Sequence, residues 1–200
     1  TLLFSLFGDH PDVRQTATSD FKFSGDRIYL VGTSNQELGA SELAFMMTES
    51  GQTDGIGGQV PQLPHPEQNL AMYRALSNAI RAGIVRTAHD CSEGGLAVAL
   101  AEMCIGGRLG ASVDIDGTGD GDVWGRLWGE SLGRFVVAVS PDHEGAFLAA
   151  MKGHPTTVLG TVEDTDQLRI TDGDDSLVHM HVDAMTTAWK GTLDLTGGMA

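Results

Sequence analysis

Positive charge is scarce in this chain. Of its 200 residues only 12 are Lys or Arg, against 27 Asp or Glu, for a formal net charge of −15. Lysine occurs only at Lys22, Lys152 and Lys190. A surface this short of cations does not track nucleic-acid phosphates or hold an anionic membrane by charge, so neither partner is expected. Any phosphate ligand has to be held locally. Long apolar runs are missing too: none approaches the roughly 18 residues of a membrane span, and the start Thr1-Leu2-Leu3 lacks the basic region of a signal peptide. Together these absences predict a cytoplasmic protein. Cysteine is limited to Cys91 and Cys104. On a common helix that separation is roughly 20 Å, beyond disulfide reach, so both read as reduced thiols. An initiating Met is absent as well. The apolar start Leu2, Leu3, Phe4, Leu6 and Phe7 predicts a fragment whose first residues pack on an upstream domain.

A length of 200 residues suits one domain that buries about 70 % of its unfolded surface. Arg27 to Val31 is the first β-rich run, launched by the turn Gly25-Asp26 and ended by Gly32. Residues 39–49 read as a helix carrying Leu43, Phe45, Met46 and Met47, and residues 50–64 as a loop. Pro64, Pro66 and Glu67 open a second helix with an apolar stripe at Leu70, Tyr73, Leu76 and Ile80, closed by Gly83. Ile84 to Ala88 is a short strand. It leads through His89-Asp90-Cys91-Ser92-Glu93-Gly94-Gly95 into a helix with Leu96, Leu100, Met103 and Cys104 inside. Strands at Ala111 to Ile115 and Phe135 to Val139 flank a short helix over Val123 to Trp128. Pro141 opens a helix through Met151, then come strands at Thr156 to Val162, Leu168 to Ile170 and Ser176 to Val182 and a last helix at Ala184 to Lys190. Strands and helices mingle without a strict βαβ rhythm, so the expected class is α+β with helices on a mixed sheet. Residues 1–26 are expected as linker and end of a preceding domain, 27–191 as the α/β domain and 192–200 as a frayed tail.

Strand, tight turn and glycine-rich helix start, at His89 to Gly95, is the pattern with most chemistry in it. A helix N-terminus offers unpaired N–H groups and partial positive charge, and glycine lets a phosphate approach the backbone. Asp90 is placed to hold Mg²⁺, which would bridge an acidic protein to an acidic nucleotide. The plainer reading makes Ser92 an N-cap and Gly94 and Gly95 packing glycines. Other patterns fare worse. Gly129-Glu130-Ser131-Leu132-Gly133 matches G-x-S-x-G, but a nucleophile elbow needs a strand before the serine and a helix after it, the reverse of what is expected here. The run Asp114 to Asp122 resembles a calcium loop until position 12, which is Leu127 instead of the required Glu. His179 and His181 share a strand face without a third ligand near in sequence. Gly55-Ile56-Gly57-Gly58 follows no strand and fails as a dinucleotide fingerprint.

Four segments in order carry a family resemblance: Thr18-Ser19-Asp20-Phe21-Lys22 with Gly25 to Gly32; Glu37-Leu38-Gly39-Ala40-Ser41-Glu42; Ala88 to Met103; and Gly129-Glu130-Ser131 with Gly133-Arg134. They resemble the C-terminal part of phosphoribosylformylglycinamidine synthase. The resemblance implies a three-layer α/β/α domain with a mixed sheet, partly ferredoxin-like, of the aminoimidazole ribonucleotide synthetase C-terminal type. It implies an ATP-dependent purine-pathway ligase, in which ATP activates the formamide oxygen of a formylglycinamide ribonucleotide and glutamine-derived ammonia displaces phosphate. ATP and Mg²⁺ are the implied cofactors. The implied partners are the remaining domains of the synthase, a glutaminase and the ribonucleotide substrate. By the same resemblance Asp90 is the metal or phosphate ligand, with Ser92, Gly94 and Gly95 around it and Ser41 and Glu42 as secondary candidates. The catalytic histidine, nucleotide lysine and most metal carboxylates of that family lie in earlier domains, so this chain alone is expected to be inactive. Ala40 stands where the family pattern has Gly, and Cys91 where a small apolar residue is commoner. A purely structural or auxiliary nucleotide-binding domain remains the rival reading. So does another ATP-using member of the superfamily, such as the aminoimidazole ribonucleotide, selenophosphate or thiamine phosphate enzymes.

Overall fold

A computed structural model of the chain describes residues 5, 7–51, 58–63 and 65–191. Much of the expected 50–64 loop, most of the apolar start and the tail therefore lie outside the described residues. Seven strands form one sheet: β1 (Arg27–Val31), β2 (Val85–Asp90), β3 (Gly110–Asp114), β4 (Phe135–Val139), β5 (Thr156–Glu163), β6 (Gln167–Asp172) and β7 (Asp175–His181). Six α-helices accompany them: α1 (Glu42–Glu49), α2 (Pro66–Arg81), α3 (Gly95–Gly107), α4 (Val123–Trp128), α5 (Glu144–Ala150) and α6 (Val182–Gly191).

Strand order is β2-β4-β1-β5-β3-β6-β7. Every neighbouring pair is antiparallel except β3 with β6. This is the mixed α+β sheet expected from the sequence. One face carries a continuous core from Phe21, Ile28 and Leu30 through Leu96, Leu100, Met103 and Cys104 of α3 to Ile170, Val182 and Met185. The other face is covered at the β2–β4–β1 end, where Tyr29, Val31, Val137 and Val139 pack on Met72, Leu76 and Ala79 of α2 and on Phe147. Alternation along the central strands explains the division. Ile28 and Leu30 point to one core, Tyr29 and Val31 to the other.

Several boundaries move for physical reasons. β2 runs on to Asp90 because His89 and Asp90 pair with Val136 and Phe135 of β4. The buried stripe of α2 is Met72, Leu76 and Ala79, and Leu70 is exposed, so the helix is rotated from the face its apolar spacing suggested. Pro141 opens a 3₁₀ turn, Pro141–His143, and the α-helix follows from Glu144. Residues 18–21, before β1, lie against β2 and α3. Phe21 is fully buried, its N–H donates to the Met103 carbonyl, and Thr18 bridges to Thr87. Gly107 is required there, since a Cβ would sit 2.1 Å from the Phe21 oxygen.

Both thiols are buried and free, and burial pushes them up to about 11 for Cys91 and about 12 for Cys104. Asp26 is a buried carboxylate whose Oδ1 accepts from Arg86 at 2.7 Å, while Oδ2 has no partner among the described residues. The Arg86 guanidinium in turn lies 4.6 Å above the Phe23 ring.

Two outcomes follow from these placements. Ala40 holds φ of +60°, where a Cβ is disfavoured. Ala40→Gly should therefore raise stability by about 1 kcal/mol, read as a higher urea midpoint at unchanged slope. Burial holds the Asp26 carboxyl above its ordinary value, with Arg86 opposing. An acid raised in the folded state contributes stability that is complete below its unfolded value of 3.8 and is lost as pH rises through the folded one. Urea titrations from pH 3 upward should then show Asp26→Asn gaining on the parent as pH increases and levelling off once Asp26 is ionised.

Candidate functional site

The turn after β2 brings the sequence candidates together. Asp90 ends the strand exposed, and Ser92 Oγ donates to its Oδ2. That hydroxyl, more than the neighbouring His89, holds the Asp90 carboxyl below the usual carboxylate range, so it is ionised at neutral pH. His89 lies between two acids, with Nδ1 at 2.7 Å from the Asp90 carbonyl and Nε2 at 3.1 Å from Glu102. Gly94 and Gly95 start α3 with φ of +76° and +66°. A Cβ on Gly95 would lie 2.6 Å from the Gly129 carbonyl, so packing against the end of α4 already demands glycine. Their N–H groups have acceptors as well: Gly94 donates to Glu130 at 2.9 Å and Gly95 to the Ser92 carbonyl at 3.0 Å.

Glu130 joins two helix starts. The same Oε1 accepts from Gly94 N–H and from Glu42 N–H, each at 2.9 Å, which places a negative charge on the N-termini of α1 and α3. Ser41 is buried and its hydroxyl serves as the N-cap of α1, accepting from Ala44 N–H and donating to the Leu38 carbonyl. Glu42, by contrast, opens onto the same cavity as Asp90.

Arg134 underlies this arrangement. It is a buried cation, 1 % exposed, whose guanidinium donates to the carbonyls of Gly129 and Ser131 and to Ser34 Oγ. Burial pulls its pKa down, while Cys91, Glu37 and Glu130 nearby oppose that. The Arg134 carbonyl accepts from Cys91 N–H at 2.9 Å, tying the loop directly to the turn that holds Asp90 and Ser92. Arg134 and Glu130 were legible as part of a motif but had no role assigned. The usable signal was a lone Arg abutting the wholly apolar strand Phe135–Val139, since a charge there has to be satisfied by backbone.

Two cavities flank the turn and share Asp90, Ser92 and Glu93. The larger, about 780 Å³, runs between α2 and the 130–135 loop, with Tyr73, Ser77, Cys91 and Arg134 in its wall. The smaller, about 550 Å³, is walled by Glu42, His89, Glu102 and Trp189. Among the described residues no group of three or more His, Cys, Asp or Glu side chains is arranged to hold a metal ion. A single ionised carboxylate fits Mg²⁺ only in the manner that ion favours with nucleotides, where it keeps water ligands and takes phosphate oxygens alongside one protein oxygen.

The other patterns have structural explanations. Ser131 is buried, accepts from Asn35 N–H and lies in a turn before a strand, unlike a nucleophile elbow. In the Asp/Gly run, Asp114 accepts from Asp116 and Gly173, and Asp122 caps α4. His179 bonds Gln167 and His181 bonds Asp166 along the exposed edge strand. The Gly55-Ile56-Gly57 stretch lies outside the described residues. No helix among the described residues is long and apolar enough to cross a membrane.

Residues 24–173 match the family described as AIR synthase related protein, C-terminal domain. The chain belongs to that family. Among solved structures, this AIR synthase related domain is similar to phosphoribosylformylglycinamidine synthase II of Thermotoga maritima, at 22% identity over 84% of this chain with a TM-score of 0.66. Against T. maritima PurL complexed with FGAR the identity is 22%, the cover 86% and the TM-score 0.72. Hydrogenase maturation protein HypE in complex with ATP is a more distant match, at 15% identity, 82% cover and a TM-score of 0.55. The chain spans 27% and 29% of the two synthase chains and 53% of HypE. At these identities the likeness is one of fold.

Arg134→Met tests the arrangement. Removing the guanidinium leaves two carbonyls and a hydroxyl buried without a donor, and should cost about 3 kcal/mol or more, measured by chemical denaturation. A loss of a few tenths would mean the loop does not depend on it.

Proposed function

We propose that this domain is the C-terminal AIR synthase-type domain of a phosphoribosylformylglycinamidine synthase, and that it takes part in ATP use by the whole enzyme. The reaction would convert a formylglycinamide ribonucleotide and glutamine-derived ammonia into the amidine in de novo purine synthesis, in the cytoplasm. The observation that carries this reading is positional. Two of the segments that resemble the synthase close on the turn inside a third: the start of α1 and residues 129–134 meet at Glu130, which accepts from Gly94 N–H, and the Arg134 carbonyl accepts from Cys91 N–H, while residues 18–26 lie against β2 and the far end of α3. Relatives of similar fold include PurL structures complexed with FGAR and with ATP.

In this reading Asp90, kept ionised by Ser92, is the protein's oxygen ligand to Mg²⁺, and Ser92 and the backbone of Gly94 and Gly95 border the phosphates. Bound Mg²⁺ would neutralise phosphate charge that twelve basic residues spread over the chain cannot. Nucleotide phosphate reaching the Gly94 N–H has to displace the Glu130 carboxylate, so this chain's own contribution is to exchange one anion for another at a helix start. The remaining domains and a glutaminase would supply the catalytic histidine and the ammonia. A second reading, an auxiliary site that binds nucleotide without consuming it, is favoured by that same Glu130 contact, which satisfies the helix without any ligand.

Asp90→Asn in the full-length synthase separates these. Steady-state kinetics with varied ATP and Mg²⁺ should show the ATP requirement raised about tenfold or more, with the melting temperature unchanged. Loss of bound nucleotide with turnover intact would favour the auxiliary site. Unchanged ATP affinity, Mg²⁺ dependence and stability would remove Asp90 from the site altogether.

A further inference from the structure

α6 carries its buried residues at Val182 and Met185. Seven residues after Val182, at almost two full turns, Trp189 falls on the same core-facing stripe. Yet it is 59% exposed. The indole forms a wall of the 550 Å³ cavity, with Val98, Ala99 and Glu102 of α3 and with Asp90, Ser92 and Gly94. A tryptophan turned inward but left uncovered, facing a cavity, is a flat apolar surface for a flat ligand. Trp189 also lies beyond residues 24–173, so the family match assigns it nothing.

The two cavities on either side of the turn share Asp90, Ser92 and Glu93 and differ in the rest of their walls. The larger adds Glu130, Arg134, Tyr73 and Ser77. The smaller adds Gly94 at the start of α3, Glu42, Glu102 and Trp189. A purine nucleotide joins an anionic end to a planar neutral base, and in adenine that base offers amino N–H donors. Within the smaller cavity an exocyclic amine can donate to the Glu42 or Glu102 carboxylate while the purine ring stacks on the indole.

We infer that Trp189 is the stacking platform for the nucleobase of a purine nucleotide whose phosphates are held at the Asp90–Gly94 turn bordering the same cavity. This rests on the nucleotide reading above and adds to it a base-recognising residue. Trp189 makes no contribution to either buried cluster, so its replacement leaves the fold intact.

The test uses the 200-residue chain with ATP and, as a ligand without a base, inorganic tripolyphosphate, each with Mg²⁺, by isothermal titration. Trp189→Ala should weaken ATP about tenfold, leave tripolyphosphate unchanged and keep the parent melting temperature, since base stacking on an aromatic side chain is worth about that factor or more. Trp189→Phe, which keeps an aromatic face, should retain most of the ATP affinity and abolish ligand quenching of the emission from that position. If the parent binds both ligands and Trp189→Ala weakens both equally or neither, the stacking assignment is wrong while the phosphate site stands. If the parent binds neither ligand, the nucleotide reading falls and the assignment of Trp189 falls with it.

Discussion

One guanidinium taken out of water organises the end of this domain around the Asp90 turn. Arg134 cannot be buried beside the apolar strand β4 unless its donors are satisfied, and the groups that satisfy it are the carbonyls of Gly129 and Ser131 and the hydroxyl of Ser34. Those bonds fold residues 129–134 into a tight loop. The loop then projects Glu130, whose single carboxylate oxygen receives the first N–H groups of α1 and α3. Two helices distant in sequence thus start at one point, and the Arg134 carbonyl holds Cys91 and the turn beside it. Remove the cation and the positions of Asp90, Ser92 and Gly94 lose their common reference.

Close backbone approach is the second constraint, and it accounts for several glycines that look functional in isolation. A Cβ on Gly119 would lie 1.9 Å from the Ser34 carbonyl, and one on Gly95 2.6 Å from the Gly129 carbonyl. The glycine-rich start of α3 is therefore a packing device first. Its chemistry comes from what surrounds it: an ionised Asp90 in front, Glu130 behind, and a cavity to either side.

Much of the fold was legible as alternation and helical spacing. β1, β4 and α3 have patterns that only one environment satisfies, and Leu96, Leu100, Met103 and Cys104 are buried as their spacing requires. Legibility failed where long-range pairing decided the outcome. β2 extends to Asp90 because β4 is beside it, and α2 turns Met72 inward in place of Leu70 because of the sheet face it meets. The site behaved the same way. Asp90, Ser92, Gly94 and Gly95 are neighbours in sequence and could be found by reading along it. Ser41 looked similar but spends its hydroxyl on a helix cap. Glu130 and Trp189 carry no local signal of where they end up, and Arg134 carries only its place beside an apolar strand.

By itself the sequence determined the family, the α+β class and the segment from His89 to Gly95, because these rest on periodicity and on residues adjacent in the chain. Only the tertiary structure decided which groups share that turn. Glu42, Glu130 and Gly94 converge from three separate stretches, and Trp189 arrives from the last helix. Contacts between residues so far apart are set by which apolar faces must be buried together and which buried charge must be satisfied, and neither condition is written in any local run of residues.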